Sequence, residues 1–175
     1  MRILLFLFMS LNLMADIVDP LLLKIHASVF PKIMLLDKDI KNKLNDDKVV
    51  LSIVYTSDHK QHALELKRMV DFEYNNRLDS YGFEVRIIDK NQFYSDSEST
   101  AYYIFDALEL FKDAHLVQDN KLQRIHFGYN YKEVNSNILI TLMVKEKVYI
   151  YLNRDAKNLA SIRFNPIFYK IAKLR

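Results

Sequence analysis

The sequence has no cysteine and only two glycines among its 175 residues. Without cysteine the chain forms no disulfide, has no thiolate nucleophile and offers no sulfur ligand to zinc. Phosphate-binding loops need clustered glycines, because backbone N–H groups must approach the phosphate closely. Gly82 and Gly128 are far apart, which excludes both the P-loop and the Gly-x-Gly-x-x-Gly dinucleotide motif.

The chain also lacks a strong excess of charge of either sign. Its 25 basic and 22 acidic residues give a formal net charge of +3. Nucleic-acid-binding proteins usually present a clustered basic face. Basic residues gather only in the tail, at Lys170, Lys173 and Arg175, where cations suit the last turn of a helix. We therefore expect no nucleic-acid partner.

The first fifteen residues have the layout of a cleaved secretion signal. Arg2 supplies a positive start, residues 3–9 are uninterrupted apolar, and Ala15 is a small residue at a plausible cleavage point. The run is shorter than the about 20 residues of a membrane-spanning helix. We expect a signal peptide at 1–15 and a single exported domain at 16–175. The alternative is a buried N-terminal element of a cytoplasmic protein.

Apolar patterning predicts the elements of the first half. Asp19 and Pro20 are typical of a helix start, and the apolar segment 21–36 follows. Pro31 is expected to end or kink this helix near Phe30. Residues 49–55 are rich in β-branched side chains and almost continuously apolar, which predicts a central strand covered on both faces.

A second helix is predicted after that strand, capped by Ser57 or Asp58. Its apolar residues recur at helical spacing from Ala63 onward. Gly82 is expected to end the helix in a left-handed conformation.

The C-terminal part predicts a β-hairpin over 137–144 and 147–153, followed by a helix. Asn165 and Pro166 favour the start of that helix. Its predicted buried residues are Ile167, Phe168, Ile171 and Leu174.

Strands alternate with helices before the hairpin, which favours parallel pairing. The sequence therefore predicts a three-layer α/β/α sandwich. Its sheet is expected to be mixed and mostly parallel, with about five or six strands.

Histidines are the main candidates for chemistry. His59-x-x-His62, followed by Glu65, offers imidazole and carboxylate groups of the kind that bind divalent metals. The same spacing is typical of solvated histidines, and no second cluster supplies more ligands. His115 and His126 have no G-x-S-x-G serine to act with. We expect no catalytic residue, no metal and no cofactor.

Tyrosine and phenylalanine are abundant, with 11 of each. Strand packing accounts for most of them. In the strand from Lys147, Tyr149 and Tyr151 share one face, and aliphatic residues take the other. If the aliphatic face is buried, the tyrosines are available to a helix or a partner.

The tail carries a family resemblance. A strand ends in Leu152-Asn153, a short Ala-containing segment and an Ile162-Arg-Phe step follow, and the chain closes on Ile-Phe-Tyr-Lys-Ile-Ala-Lys. This pattern resembles the C-terminal signature of the YfiR-like (HmsC-like) periplasmic family. The apolar helix ending in Phe30-Pro31 fits the same family. The cysteines and the Gly-Gly pair that members often carry are missing here.

The resemblance implies a non-catalytic periplasmic regulator. Such proteins bind the extracytoplasmic part of a membrane-bound diguanylate cyclase and hold it inactive, so that cyclic-di-GMP and biofilm output fall. A histidine kinase is another candidate partner, and a homodimer is compatible with this function. The expected partner-binding residues are Tyr149, Tyr151, Tyr169 and Lys170. The alternative is a periplasmic small-molecule binding protein with a pocket at the carboxyl ends of the parallel strands.

Overall fold

The computed structural model describes residues 18–112, 121–132 and 137–175. The predicted signal segment 1–15 and His115 lie outside these ranges. The described helices are α1 (Pro20–Met34), α2 (Lys60–Tyr74), α3 (Lys90–Ser95), α4 (Ala107–Leu110) and α5 (Pro166–Ile171). The described strands are β1 (Lys48–Tyr55), β2 (Arg77–Leu78), β3 (Tyr81–Asp89), β4 (Ala101–Ile104), β5 (Ile125–Gly128), β6 (Ile140–Val144), β7 (Val148–Leu152) and β8 (Ala172–Leu174).

The strands form one mixed sheet in the order β2-β3-β1-β4-β5-β6-β7-β8. Neighbours from β3 to β6 are parallel. Strand β2 is antiparallel to β3, β7 is antiparallel to β6, and β8 runs parallel to β7. The predicted mixed, mostly parallel sheet and the hairpin are confirmed. The sheet has eight strands rather than five or six, because the short strands β2 and β8 extend its two edges.

Helices cover both faces of the sheet, as the predicted three layers require. On one face, Leu51 of β1 packs in a common core with Phe30 of α1 and Leu66 of α2. On the other face, Val54 packs with Phe93 of α3 and other residues of α3 and α4. Strand β1 is buried on both faces, because successive side chains of a strand point to opposite sides and those of β1 enter both cores.

Helix α1 begins as predicted but ends later. The Leu21 N–H donates to the Asp19 carboxylate at 2.9 Å, and Pro20 is the first helical residue. Pro31 was expected to end or kink the helix near Phe30; the helix continues through Pro31 to Met34, so the first of these alternatives is wrong. Pro31 lies in the last turn and is buried beside Phe30, and this packing compensates for one lost backbone hydrogen bond. Within the described ranges, no helix combines the length and apolarity needed to cross a bilayer.

Helix α2 differs from the prediction at both ends. A 3-10 turn over Ser57–His59 precedes it, and its N-cap is His59 rather than Ser57 or Asp58. It ends at Asn75, which is left-handed with φ of 45°. Gly82 instead lies inside β3.

Asparagine and aspartate take the left-handed positions that glycine usually takes. In the described part of the chain, all residues with positive φ are of these two types, because their short polar side chains tolerate that region. They are Asp46, Asp47, Asn75, Asn76 and Asp79.

The closing helix α5 is capped as predicted but does not bury the predicted stripe. The Ile167 N–H donates to the Asn165 side chain at 3.1 Å. Phe168 is fully buried, whereas Ile167, Ile171 and Leu174 are 54%, 50% and 59% exposed. The helix is six residues long and turns directly into β8, so Leu174 lies in a strand and not on a helix face.

Backbone contacts fasten the tail to the segment after α1. The Lys38 N–H donates to the Arg163 carbonyl at 2.8 Å, and the Asn165 N–H donates to the Leu36 carbonyl at 2.7 Å. Arg163 also forms an ion pair with Asp39. Backbone hydrogen bonds of Arg163 and Asn165, on either side of Phe164, therefore fix the start of α5.

The two glycines give a matched test of strand packing. A Cβ on Gly128 would lie 2.8 Å from Ile138 Cγ2, inside the core, whereas a Cβ on Gly82 would meet the flexible, exposed Lys48 side chain at 3.0 Å. We expect Gly128→Ala to lower the free energy of unfolding by about 1–3 kcal/mol. Gly82→Ala is the control and should change it by less than about 1 kcal/mol. Urea unfolding measures both, and equal losses would contradict this account.

Candidate functional site

A crevice opens at the carboxyl ends of β1, β3 and β4. The chain runs from β1 to β3 on one side and then to β4 on the other, so the direction of winding reverses at β1. Ligands of open α/β sheets bind at such reversal points, because the loops from adjacent strands diverge there. The crevice has a volume of about 460 Å³. Its lining residues are Tyr55, Thr56, Ser57, Asp58, Asp89, Lys90, Asn91, Asp106 and Glu109.

Two of the lining carboxylates act as helix caps. Asp89 Oδ1 accepts from the N–H groups of Asn91 and Gln92 at 2.8 and 2.9 Å, and starts α3. Asp106 Oδ1 accepts from the Glu109 N–H at 2.8 Å and starts α4. The fold itself therefore uses these carboxylates to satisfy the first N–H groups of two helices.

Glu109 lies between two lysines at the rim of the crevice. It hydrogen-bonds Lys112, and its Oε1 is 3.5 Å from Lys90 Nζ. The Lys112 ammonium holds the pKa of Glu109 below its usual value. The rim is consequently charged, with acid and base side by side.

Aromatic rings form a wall next to the crevice. A second cavity of about 290 Å³ is lined by residues that include His59, Phe105 and Tyr129. The His59 and Phe105 rings stack at 5.5 Å with an interplanar angle of 16°. Phe105 and Tyr129 lie 5.6 Å apart. Asp106 and Glu109 line both cavities, so the polar crevice and the aromatic wall adjoin.

The two histidines of the sequence pair differ in position, because His59 lines this wall and His62 lines neither cavity. The His59 and His62 rings are 6.3 Å apart, and both lie against Phe105. His62 Nδ1 is 4.0 Å from the Glu65 carboxylate. Across residues 18–112, 121–132 and 137–175, no three His, Asp or Glu side chains are grouped closely enough to hold a metal ion.

Two other histidines are buried in the cores. His26 Nδ1 is 2.7 Å from the Tyr103 hydroxyl, and His126 Nδ1 donates to the Asn137 carbonyl at 2.7 Å. Burial lowers the pKa of His26 to about 3 and that of His126 to about 4. Both are therefore neutral near neutral pH.

The four predicted partner-binding residues lie in two groups. Tyr149 and Tyr151 are half-buried on β7, on the face opposite to Leu152, which belongs to the core of α1 and α2. Lys173 of β8 lies over the Tyr149 ring at 3.9 Å. Tyr169 and Lys170 are exposed on α5, where Tyr169 contacts the buried rings of Phe164 and Phe168. The structure thus does not bring all four together.

The tail exposes large apolar side chains in a patch that we call the C-terminal patch. Its members are Ile167, Tyr169, Ile171 and Leu174, which are 50–59% exposed. They flank the exposed Lys170 along the chain, and Leu174 belongs to β8, the last strand of the sheet in the described residues. The sequence predicted three of these residues to be buried, so periodicity alone did not identify the patch.

Comparison with known proteins gives only distant structural similarity. No family model matches the chain, and no curated protein matches it. The chain is similar to a crystal structure described as the ABC domain in complex with L-Trp from Streptococcus pneumonia, at 11% identity and a TM-score of 0.49. The match covers 81% of this chain and 61% of that chain. A similarity of this size carries no function across.

The buried histidines predict a loss of stability in acid. Their native pKa values are about 3 and about 4, against 6.5 for the free side chain, so only the unfolded chain takes up these protons between those values. The free energy of unfolding should fall by about 1.4 kcal/mol per pH unit for each histidine below pH 6.5. Urea unfolding from pH 7 to 4.5 measures this slope. His126→Gln should reduce it by roughly half relative to the wild-type chain, and an unchanged slope would contradict the assignment.

Proposed function

We propose that this chain is a non-catalytic regulator that binds the extracytoplasmic part of a membrane sensor, such as a diguanylate cyclase or a histidine kinase. The C-terminal patch is the observation that supports this proposal. It also lies in the segment that resembles the YfiR-like family.

The patch has the composition of a protein-binding surface. Exposed apolar side chains that are grouped, rather than scattered, are typical of such surfaces. Tyr169 adds a large rigid contact with a polar end, and Lys170 adds a charge at the rim. Since half or more of each apolar side chain is in water, covering them by a partner is favourable.

The patch is presented by a backbone that is already ordered. Residues 163–165 are hydrogen-bonded to residues 36–39, and Phe168 anchors α5 in the core. Binding to a rigid surface costs little conformational entropy. A sensor held on this surface would be restricted to the conformation that fits it, and repression would follow from that shift in population.

Capture from membranes tests the proposal. The tagged full chain, incubated with membranes of its own host, should enrich a sensor with a diguanylate cyclase or kinase domain, identified by mass spectrometry. The double variant Tyr169→Ala/Ile171→Ala should lose at least about tenfold of that enrichment, because the centre of a contact carries most of its binding energy. Phe72→Ala is the control, since Phe72 is 90% exposed on α2, outside the patch. Capture of no sensor by the wild-type chain under mild crosslinking would refute the proposal.

A second candidate function is the binding of a small molecule in the crevice. This function is favoured because the polar crevice adjoins the aromatic wall at β1, where the direction of winding of the sheet reverses. Such a site suits a ligand with a planar ring and a polar group, since the ring can stack on His59, which itself lies over the buried Phe105.

Thermal unfolding in the presence of small molecules tests this second function. A ligand of the crevice at 100 times its Kd should stabilise the chain by about 2.7 kcal/mol, which appears as a higher Tm. His59→Ala should abolish that shift, and His62→Ala, one helical turn away and outside the lining, should keep it. Ligands whose shift survives His59→Ala do not bind at the wall.

A further inference from the structure

Basic residues are concentrated in the part of the chain that forms the end of the sheet. Residues 145–175 contain eight lysines and arginines and two acidic residues, a net charge of +6, although the whole chain carries only +3. The basic residues are Lys145, Lys147, Arg154, Lys157, Arg163, Lys170, Lys173 and Arg175. Arg163 is already paired with Asp39, so the other charged residues of this segment leave a net charge of +5 that attracts acidic partners.

Within the residues that the structure describes, strand β8 leaves backbone groups open at the sheet edge. It pairs with β7 on one side and is last in the strand order. The Arg175 N–H donates to Leu152 O, and the Arg175 carbonyl accepts from the Arg154 N–H, both at 3.0 Å. Successive residues of a strand direct these groups to opposite sides, so the N–H and C=O of Leu174 face outward. An extended segment can pair with them.

The two faces of this edge differ in chemistry. Leu174 lies on the same face as Leu152 and next to α5, so that face is apolar. Lys173 lies on the opposite face with Tyr149 and Tyr151. A strand added beside β8 would place alternate side chains on these two faces. The best complement alternates apolar and acidic residues.

We propose that β8 binds an acidic, extended segment of a partner protein by strand addition. The segment pairs with the backbone of Leu174, sets its apolar side chains against Leu174 and α5, and sets its carboxylates near Lys173. This inference rests on the proposed function and specifies the partner's binding element. A second copy of this chain is a poorer occupant, because its own edge would bring the same positive charges together. A lipid surface lacks backbone groups to pair with Leu174.

A pair of short peptides tests the inference with the full chain. A fluorescein-labelled peptide that alternates glutamate and valine should bind, and the Kd should rise with salt concentration because the attraction is electrostatic. The same peptide with lysine in place of glutamate should not bind. Methylation of alternate amide nitrogens should weaken binding about tenfold, the effect of losing one backbone hydrogen bond.

Variants locate the peptide on the structure. Leu174→Pro removes the outward N–H and keeps the ladder to β7, since that ladder uses the groups of neighbouring residues. It should raise the Kd of the acidic peptide about tenfold. Lys173→Glu should raise it about fivefold through charge reversal. Lys60→Glu is the control, because Lys60 is exposed on α2, away from the edge. Circular dichroism confirms that the variants fold.

The outcomes separate this inference from the proposed function. Binding that ignores Leu174→Pro, or that is equal for both peptides, overturns strand addition. Concentration-dependent dimerisation that Leu174→Pro abolishes would assign the edge to a second copy, and binding to phosphatidylglycerol vesicles in place of the peptide would assign it to a membrane. If Leu174→Pro still captures the sensor from membranes, the proposed function stands and the edge is not its site. If the peptide binds and no sensor is captured, strand addition at β8 is supported and the proposed function is refuted.

Discussion

Burial of β1 between two strands and two cores is the constraint on which the rest of the structure depends. All eight of its residues pair with β3, and four pair with β4. Six residues in a row, from Val49 to Val54, are buried. Neighbouring strands cover both edges of β1, and the two cores cover both of its faces. The crevice therefore forms at the carboxyl end of the strand. The loops after β1, β3 and β4 therefore meet at the crevice.

Local signals in the sequence predicted much of this fold. Asp19 and Asn165 could be predicted as helix caps, because each side chain accepts a hydrogen bond from the backbone N–H only two residues later. Strand β1 and the hairpin were readable because continuous or alternating apolar residues need no distant partner to be recognised. Helix α3 was missed, although Asp89 and Gln92 form a capping box that the sequence displays.

Tertiary contacts decided the features that were not predicted. Pro31 continues its helix because it is buried, and the turns use Asn75 or Asp46 in a chain that has little glycine. Leu174 was assigned to a helix face because β8 follows α5 without a break, and only pairing with β7 shows it to be a strand. From the sequence, a pocket was expected at the carboxyl ends of the parallel strands, but none of its lining residues was identified. Its residues come from three separate segments, so no spacing in the sequence identifies them.

The two candidate surfaces occupy different parts of one sheet. Five strand spacings separate β1, below the crevice, from β8 at the edge, or roughly 24 Å. Each surface can therefore be altered without touching the other. If a ligand in the crevice affects binding at β8, the effect must pass through the strands between them, and a double-mutant cycle would measure that coupling.

The attachment of the tail also sets the order in which the chain can fold. Arg163 and Asp39 are 124 residues apart along the chain, yet they form an ion pair. Contacts of such high sequence separation are slow to form, because a long loop must close first. The backbone groups of Leu36 and Lys38, after α1, therefore form these hydrogen bonds only after residues 163–165 have been synthesised. A nascent chain that lacks these residues cannot complete the sheet, and its β7 edge stays open to wrong pairing until β8 arrives.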